Sequence, residues 1–342
     1  GHPVDLGAGW TPLRRADRLA AELGLDELWL KDDTRNPTGS FKDRVVSCAL
    51  SSAQRLGFTT AACASTGNLA TSVAAHAAAL GWPSVTVIPS DLEKSKVAMT
   101  AIFGGTVLAV DGNYDDVNRL CAELVDSHPD WAFANVNLRA YYAEGSKTLA
   151  YEIAEQLGWQ LPAQVLAPIA SGSQLTKIAK GFREFRELGL VSGELPTMFG
   201  AQAAGCSPVA SALADGTNVI RPVKPNTIAR SLAIGNPADG PYAIDEMRAS
   251  GGDCGSVTDD DVLESIAQLA RTEGVFAETA GGVVIASLRQ LVERGSIDRH
   301  RPVVAIISGH GLKTLDAIVE TATPTAVISP KLADAEAALA RF

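Results

Sequence analysis

The stretch Asn36-Pro37-Thr38-Gly39-Ser40-Phe41-Lys42-Asp43-Arg44 leads directly into the apolar-periodic segment 45–56. A proline and a glycine in this stretch indicate a turn, and Ser40 is placed to cap the helix that follows. Lys42 then falls in the first helical turn, where the helix dipole makes a cation unfavourable. Two interpretations remain open: a surface lysine partnered by Asp43, or a lysine with a lowered pKa that forms a Schiff base.

Outside this stretch, short apolar runs alternate with longer Ala-rich stretches of helical periodicity. The predicted buried strands are 28–30, 61–64, 84–88, 106–110, 165–169, 197–201 and 302–307. The predicted helices include 69–80, 114–126, 147–157, 259–273 and a closing helix at 331–341. Glycine follows several helical stretches as a stop signal, at Gly57, Gly81, Gly158 and Gly295. This alternation predicts an α/β protein with mostly parallel sheets, in which ligands bind beyond the carboxyl ends of strands.

Hydrophobic content, net charge and cysteine spacing restrict the kinds of protein that this sequence can encode. The 342 residues are 46% hydrophobic, so a sizeable core is available, and the net charge of −10 argues against broad binding to nucleic acid or anionic membranes. No apolar run is long enough for a transmembrane helix, and no signal peptide opens the chain, so we expect a cytoplasmic protein. The scattered cysteines predict reduced thiols and no zinc site: Cys48, Cys63, Cys121, Cys206 and Cys254.

Three further strand-to-helix turns have the composition of ligand sites. The turn at 64–68 offers backbone N–H groups and the Asn68 amide to an anion, and the small residues of 170–174 suit a phosphate cradle. The turn at 308–312 places a hydroxyl, Ser308, at a strand end beside glycines that permit close approach of a ligand. Each segment also fits an ordinary turn, and His310 fits a solvated or structural residue as well as an acid–base group.

In their order along the chain, these segments resemble those of the fold type II pyridoxal-phosphate (PLP)-dependent enzymes, and most closely the threonine synthases. The stretches that carry the resemblance are 9–13, 36–44, 64–68, 144–148, 200–203, 273–278 and 308–313, which together span nearly the whole chain. The resemblance implies a tryptophan synthase β-like fold of two three-layer α/β/α domains, with pyridoxal 5′-phosphate in the cleft between them. The smaller domain is expected as an insertion at 48–148, and the larger one at 1–47 plus 149–342. A homodimer is implied by the resemblance only.

The same resemblance assigns roles at the cofactor. Lys42 is expected to be the catalytic Schiff-base lysine, with Phe41 packed beside the cofactor. Asn68 is expected to bind the pyridoxal 3-hydroxyl, and Ser308 to face the pyridine nitrogen. A neutral hydroxyl there does not stabilise a protonated ring nitrogen as a carboxylate would. The cofactor phosphate is expected to be held by Ala170, Ser171, Gly172, Ser173 and Gln174.

For the reaction, the resemblance implies conversion of O-phospho-L-homoserine and water to L-threonine and phosphate, with Lys42 as the base for the α-proton. Ser65 and Thr66 are expected to bind the substrate carboxylate. The leaving phosphate needs a cation or a helix terminus. The candidates for it are Arg139 and Lys147, with Asn137, Tyr142 and Ser40 as further donors. For Arg139 a surface ion pair is an equal alternative.

Some positions depart from the commonest threonine synthase pattern. Leu69 stands where a hydroxyl-bearing residue is usual, Tyr142 lies in an altered 139–142 segment, and His310 replaces an Asn. These departures leave a rival enzyme open: a β-elimination or β-replacement catalyst such as a serine/threonine dehydratase or a cysteate synthase-like enzyme. A second rival is a non-catalytic amino-acid sensor on the same fold, which would not need Lys42. Phosphate release from phosphohomoserine discriminates the first rival, and spectral titration with amino acid the second.

Overall fold

The structure is a computed structural model that describes residues 3–65, 67–90, 94–112, 114–319 and 322–341. Its strands are β1 (Leu13–Arg15), β2 (Leu28–Asp32), β3 (Thr60–Ala64), β4 (Ser84–Pro89), β5 (Thr106–Val110), β6 (Trp131–Phe133), β7 (Gln164–Pro168), β8 (Thr197–Ala203), β9 (Cys254–Val257) and β10 (Val303–Ile307). Its helices are α1 (Asp17–Leu23), α2 (Lys42–Leu56), α3 (Asn68–Leu80), α4 (Lys94–Ala101), α5 (Tyr114–Ser127), α6 (Arg139–Glu144), α7 (Lys147–Gln156), α8 (Ser173–Glu187), α9 (Pro208–Ala214), α10 (Gly240–Ser250), α11 (Asp259–Glu273), α12 (Thr279–Glu293) and α13 (Leu332–Leu339). Among these residues, each helix is too short or too polar to cross a membrane.

The strands form two sheets. One has the order β5-β4-β3-β6, and every neighbouring pair in it is parallel. The other has the order β1-β2-β10-β7-β8-β9 and is parallel apart from the antiparallel pairing of β1 with β2. All residues of β3, β7 and β10 are buried, as expected for parallel strands covered by helices on both faces. The predicted α/β class with mostly parallel sheets is therefore confirmed.

Element by element, the long periodic segments agree best with the prediction. The helix predicted at 259–273 is α11 to the residue, and the one predicted at 69–80 begins one residue earlier, at Asn68. All seven predicted strands are present within two residues at either end. Sequence reasoning missed β1, β6 and β9, because runs of three or four residues are too short for a period to be recognised. The closing helix is shorter than predicted, at Leu332–Leu339.

Helix α2 holds the two sheets together and sets the position of Lys42, its first residue. Its apolar positions recur at helical spacing and bury one face: Val45, Val46, Ala49, Leu50 and Ala53. That face belongs to one hydrophobic cluster with residues of both β3 and β7. The segment between α6 and α7 crosses α2 at Gly145, where a Cβ would lie 2.7 Å from the backbone of Arg44. Glycine at this crossing lets Tyr142, on α6, approach Lys42.

Behind α2 lies a buried network of charged side chains. Arg44 donates to Asp33 at 2.8 Å and pairs with Glu152, and Lys31 pairs with Glu152 at 2.6 Å. Burial opposes ionisation of Glu152, but the Arg44 guanidinium holds the pKa of that carboxyl below its usual value. Because the ions are paired and hydrogen-bonded, their burial is tolerated, whereas removal of one partner would leave an uncompensated charge. The network anchors α2 to β2 and α7.

Candidate active site

A cavity lies at the carboxyl ends of β7 and β10, beside the first turns of α2, α3 and α8. The residues that line it come from eight separate segments of the chain. They are Phe41, Lys42, Asn68, Tyr142, Ser146, Pro168, Ala170, Ser171, Gly172, Ser173, Gln174, Ser231, Leu232, Glu278, Ala280 and Ser308. Ten of the predicted site residues are among them, so the separate turns identified in the sequence converge on one place.

Lys42 is half-buried and faces this cavity. Its Nζ donates a hydrogen bond to the Tyr142 hydroxyl at 2.8 Å and lies 4.8 Å from the centre of the Phe41 ring. The interpretation of Lys42 as a surface lysine partnered by Asp43 is wrong, because Asp43 is fully buried and accepts hydrogen bonds from Thr38 and Ser72. A half-buried amine beside aromatic rings and a hydroxyl is suited to covalent chemistry.

The loop before Lys42 is fastened to the loop after β10. Phe41 N–H donates to the Ser308 carbonyl at 2.8 Å, and Ser40 forms an isolated β-bridge with Gly309. Ser40 is buried and does not line the cavity, and its hydroxyl accepts only a long 3.4 Å hydrogen bond from Lys42 N–H. Ser40 therefore acts in this structure as a fixed part of the lysine loop. Ser308 lines the cavity at the end of β10, as predicted.

His310 has a structural role in this loop. Its Nδ1 accepts a hydrogen bond from the N–H of Leu312 at 3.2 Å, which caps the short helical turn that follows. Its ring meets Phe276 edge-on at 5.7 Å, and its backbone bridges to Ala277. His310 is not among the residues that line the cavity, so the structural interpretation of this histidine agrees with its position.

Asn68, the first residue of α3, meets a carboxylate that sequence reasoning did not single out. Its Nδ2 donates to the two carboxyl oxygens of Glu278 at 2.9 and 3.2 Å. Glu278 is 2% exposed, and burial raises the pKa of its carboxyl despite the hydrogen bond from Asn68 and the nearby charge of Lys313. The available signal is a lone carboxylate directly before α12, a helix whose residues are mostly buried.

The 170–174 segment joins β7 to α8 and supplies one wall of the cavity. Gly172 has a φ of +96°, and a Cβ there would lie 2.5 Å from the carbonyl oxygen of Asp239. Ser173 begins α8, so the N-terminal end of a 15-residue helix faces the cavity. Within the described part of the chain, the buried Nε2 of Gln174 has no hydrogen-bond partner. Free donors at a helix N-terminus form an anion site.

The predicted substrate residues outside the cavity lining have other partners. Asn137 bonds the backbone of β6 through both ends of its amide, at 2.9 Å each. Lys147 pairs with Glu144 at 2.6 Å and with Glu184 at 2.8 Å. In this structure the polar atoms of Asn137 and Lys147 are therefore already engaged, and their expected role at the substrate phosphate stays a prediction.

Arg139, Ser65 and Thr66 complete the set of predicted substrate residues. Arg139 is 48% exposed and pairs with Asp239 at 2.8 Å, which agrees with the ion-pair alternative for this residue. The Ser65 hydroxyl accepts a 3.3 Å hydrogen bond from the N–H of Gly67. Thr66 lies outside the described residues. The structure thus brings the predicted cofactor residues and Tyr142 together in one cavity, whereas the other described substrate candidates do not line it.

Metal chemistry has no support in the described ranges, where no group of three or more His, Cys, Asp and Glu side chains is arranged to hold an ion. The five cysteines are all free, and burial raises the pKa of the Cys63 thiol to about 12. These thiols are therefore poor ligands and poor nucleophiles at neutral pH.

Comparison with known proteins gives a consistent result. A family model described as pyridoxal-phosphate dependent enzyme matches residues 4–309. The threonine synthase of Methanocaldococcus jannaschii is 40% identical over 318 residues, which cover 92% of this chain and 78% of that one. The threonine synthase of Methanosarcina acetivorans is 38% identical over 332 residues, covering 96% and 81%.

Solved structures share the fold at lower identity. Maize serine racemase superposes with a TM-score of 0.75 at 21% identity, over 91% of this chain and 92% of that one. The processed form of threonine deaminase isoform 2 from Solanum lycopersicum gives 0.75 at 21% identity, over 92% and 88%. At this identity the likeness concerns the fold alone, and it confirms the predicted fold class.

Proposed function

This chain belongs to the threonine synthases, within the fold type II pyridoxal-phosphate-dependent enzymes, and we propose that it converts O-phospho-L-homoserine and water to L-threonine and phosphate. The observation that carries the proposal is the single cavity in which Lys42, Asn68, the 170–174 segment and Ser308 meet. In the overall reaction the Cγ–O bond to phosphate breaks and the oxygen of water is added at Cβ.

The residues present fit PLP. The unpartnered Nε2 of Gln174 and the N-terminus of α8 supply donors for a dianionic phosphate. Lys42 Nζ, Asn68 and Ser308 line the same cavity and would bind the imine carbon, the 3-oxygen and the ring nitrogen. Phe41, which also lines the cavity, provides an apolar contact for the ring. These assignments, made residue by residue, are part of the proposal.

Bound PLP supplies an electron sink for the substrate's α-carbon. Lys42 Nζ, which faces the cavity, would act as the general base that takes the proton from that carbon. The Tyr142 hydroxyl, 2.8 Å from Nζ, holds the amine in place and gives it a partner for proton exchange. Ser308 would give the ring nitrogen a hydrogen bond without a negative charge, which would not stabilise a protonated ring.

The leaving phosphate requires a cation, and we favour Arg139 over Lys147, because Lys147 is held between two carboxylates and is less exposed than Arg139. Asp239, its present partner, donates its backbone N–H to the carbonyl of Ser171 in the 170–174 segment. The Arg139–Asp239 pair therefore lies next to the cavity wall. We propose that Arg139 exchanges Asp239 for the substrate phosphate. Ser65 and Thr66, with the N–H groups that begin α3, are proposed to bind the substrate carboxylate.

The proposal extends to organisation and location. We propose that 48–148 forms the smaller domain and 1–47 with 149–342 the larger; the support is that β3 to β6 pair only with one another among the described strands. We propose a homodimer on the strength of the family resemblance. We propose the cytoplasm because all five cysteines are free.

The test is phosphate release by the purified PLP-loaded protein from O-phospho-L-homoserine, with O-phosphoserine, threonine and serine in parallel. We expect phosphate and threonine in equal amounts from phosphohomoserine. Formation of pyruvate or 2-oxobutyrate from the other substrates, without phosphate release from phosphohomoserine, would contradict the proposal and indicate a β-eliminating enzyme. Lys42→Ala, tested in the same assay, should be inactive.

A further inference from the structure

Glu278 lines the same cavity as Lys42, and the reaction outlined above does not use it. It lies directly before α12, and its backbone N–H donates to the carbonyl of Gly309 at 2.9 Å. Its side chain is almost fully buried. Removing a carboxyl group from water costs free energy. We therefore look for the group that hydrogen-bonds Glu278 and for the function that the buried carboxyl serves.

The partner is the amide of Asn68. The Nδ2 atom donates to both carboxyl oxygens of Glu278, at 2.9 and 3.2 Å. An ionised carboxylate accepts hydrogen bonds and cannot donate them, whereas an amide presents a donor at one end and an acceptor at the other. Glu278 therefore determines which end of the Asn68 amide faces it, and the amide keeps a second Nδ2 hydrogen for another acceptor.

We propose that Glu278 is a positioning residue that fixes the orientation of the Asn68 amide, so that its remaining N–H is presented to the 3-oxygen of the cofactor. This inference rests on the proposed role of Asn68. Without Glu278, the amide could turn its carbonyl oxygen toward the 3-oxygen, and two acceptors would face each other. The carboxylate acts through Asn68 and need not touch the substrate.

The surroundings of Glu278 are built to hold the carboxylate at this point. A Cβ on Gly309 would clash with its Oε1, so glycine is needed there for the carboxylate to occupy its place. Lys42, Lys96 and Lys313 contribute favourable charge at Glu278. Lys313 is itself half-buried: burial lowers the pKa of its amine, and the charges of Glu278 and Asp43 oppose that shift. Gly309 therefore leaves room for the side chain at position 278, and the lysines and Asn68 offset part of the burial that raises the pKa of its carboxyl.

The experiment is a double-mutant cycle on PLP binding by the apoenzyme, measured as a dissociation constant and as the absorption maximum of the bound cofactor. Glu278→Gln keeps the shape but presents both a donor and an acceptor to Asn68. We expect Glu278→Gln and Asn68→Ala each to weaken PLP binding by about tenfold, the size of one hydrogen bond to a charged group. The double variant should bind about as weakly as Asn68→Ala alone, because both changes remove the same contact.

Gly309→Ala separates geometry from charge, since it displaces the carboxylate and leaves its charge in place. It should weaken PLP binding and shift the absorption maximum in the same direction as Glu278→Gln. The matched control is Glu293→Gln, the same chemical change at the exposed far end of α12, which should leave both readouts unchanged. Unfolding of every apoenzyme in denaturant checks that the variants are folded.

Additive losses in the double variant, or wild-type PLP binding by Glu278→Gln, would overturn the inference. Failure of the proposed function has a different signature: the wild-type protein would not bind PLP, or Lys42→Ala would retain the visible band of the lysine-bound cofactor. If the wild-type enzyme makes threonine but the effects of Glu278→Gln and Asn68→Ala are additive, the proposed function is supported. The inference about Glu278 is then contradicted.

Discussion

Lys42 and Lys31 are both removed from bulk water, and their surroundings differ in kind. Lys31 is 0% exposed and is held by Glu152 at 2.6 Å, the Thr11 carbonyl at 2.7 Å and Gln156 at 2.8 Å. Lys42 is half-buried, with the Tyr142 hydroxyl at 2.8 Å and an aromatic ring beside it. Lys31 is held inside a buried ion network, whereas Lys42 has a neutral hydrogen-bond partner and faces the cavity. The comparison contrasts a lysine whose contacts are structural with the lysine that we propose to do the chemistry.

The largest expected effect is that of removing Lys42, the lysine proposed to do the chemistry. Lys42→Ala should abolish the visible band of bound PLP and lower kcat/KM for phosphohomoserine by at least about 10³-fold, since it removes both the covalent attachment and the base. Its free energy of unfolding should change little. Lys180→Ala, at an exposed ion pair, is the control. A coloured, active Lys42→Ala enzyme would refute the assignment.

Arg44→Met, two residues further along α2, tests the buried ion network to which Lys31 belongs. Because Asp33 and Glu152 would lose their shared buried cation, the free energy of unfolding should fall by about 3–5 kcal/mol, measured in denaturant. Arg119→Met, at a 71% exposed ion pair, should cost less than about 1 kcal/mol. Equal losses in the two variants would show that the buried network is not what anchors α2.

The proposed phosphate cation gives a smaller effect on catalysis. Arg139→Gln should lower kcat/KM for phosphohomoserine by about 10–100-fold, the size of a hydrogen bond to a charged group, with PLP binding unchanged. Lys147→Gln should change it by less than about fivefold, because Lys147 is engaged with Glu144 and Glu184. The reverse order of the two effects in steady-state kinetics would restore Lys147 as the phosphate ligand.

Gln174 tests whether the 170–174 segment binds the cofactor phosphate. Gln174→Leu should weaken PLP binding by about tenfold, since the Nε2 that lacks a partner in the protein is proposed to donate to the cofactor phosphate. Gln160→Leu makes the same change at an exposed residue before the opposite end of β7. Equilibrium dialysis of the apoenzymes measures the PLP dissociation constant of both variants. An unaltered dissociation constant for Gln174→Leu would contradict the proposal that the 170–174 segment binds the cofactor phosphate.

The smallest expected effect concerns the carboxylate cluster around Lys147. Burial opposes ionisation of Glu144, but hydrogen bonds from Lys147, Lys177 and Lys180 prevail and lower its pKa to about 2. A depressed pKa contributes stability above the ordinary value of 4.5, and that contribution is lost as the pH falls toward about 2.

Because this carboxyl group is largely solvated, we expect less than about 1 kcal/mol from it. Glu144→Gln should therefore flatten the acid limb of a stability-against-pH curve slightly, as measured by urea unfolding. An identical acid limb in the two proteins would show that the lysines add nothing to folding.

Local patterns predicted much of this site. Lys42, Asn68 and Gln174 were identified because each lies at a turn between an apolar run and a helical stretch, and parallel strands bring such turns to one edge of a sheet. Long periodic elements such as α11 were predicted for a similar reason, since their information is local.

Partners distant in the chain were not predictable in this way. Glu278 meets Asn68 across 210 residues, and Arg139 meets Asp239 across 100. The direction of the Lys147 side chain depends on how α7 packs on α8, which brings Glu184 within reach. Sequence reasoning therefore identified the residue types of the site and could not foresee the distant partners of these residues.

The most direct test of the central contrast is to reduce the PLP-loaded protein with borohydride and map the pyridoxyl-modified peptide by mass spectrometry. Reduction fixes the cofactor on whichever lysine holds it. We predict the label on Lys42, with Lys31 unmodified. A label on another lysine, such as the half-buried Lys313 whose charge acts on Glu278, would contradict the account.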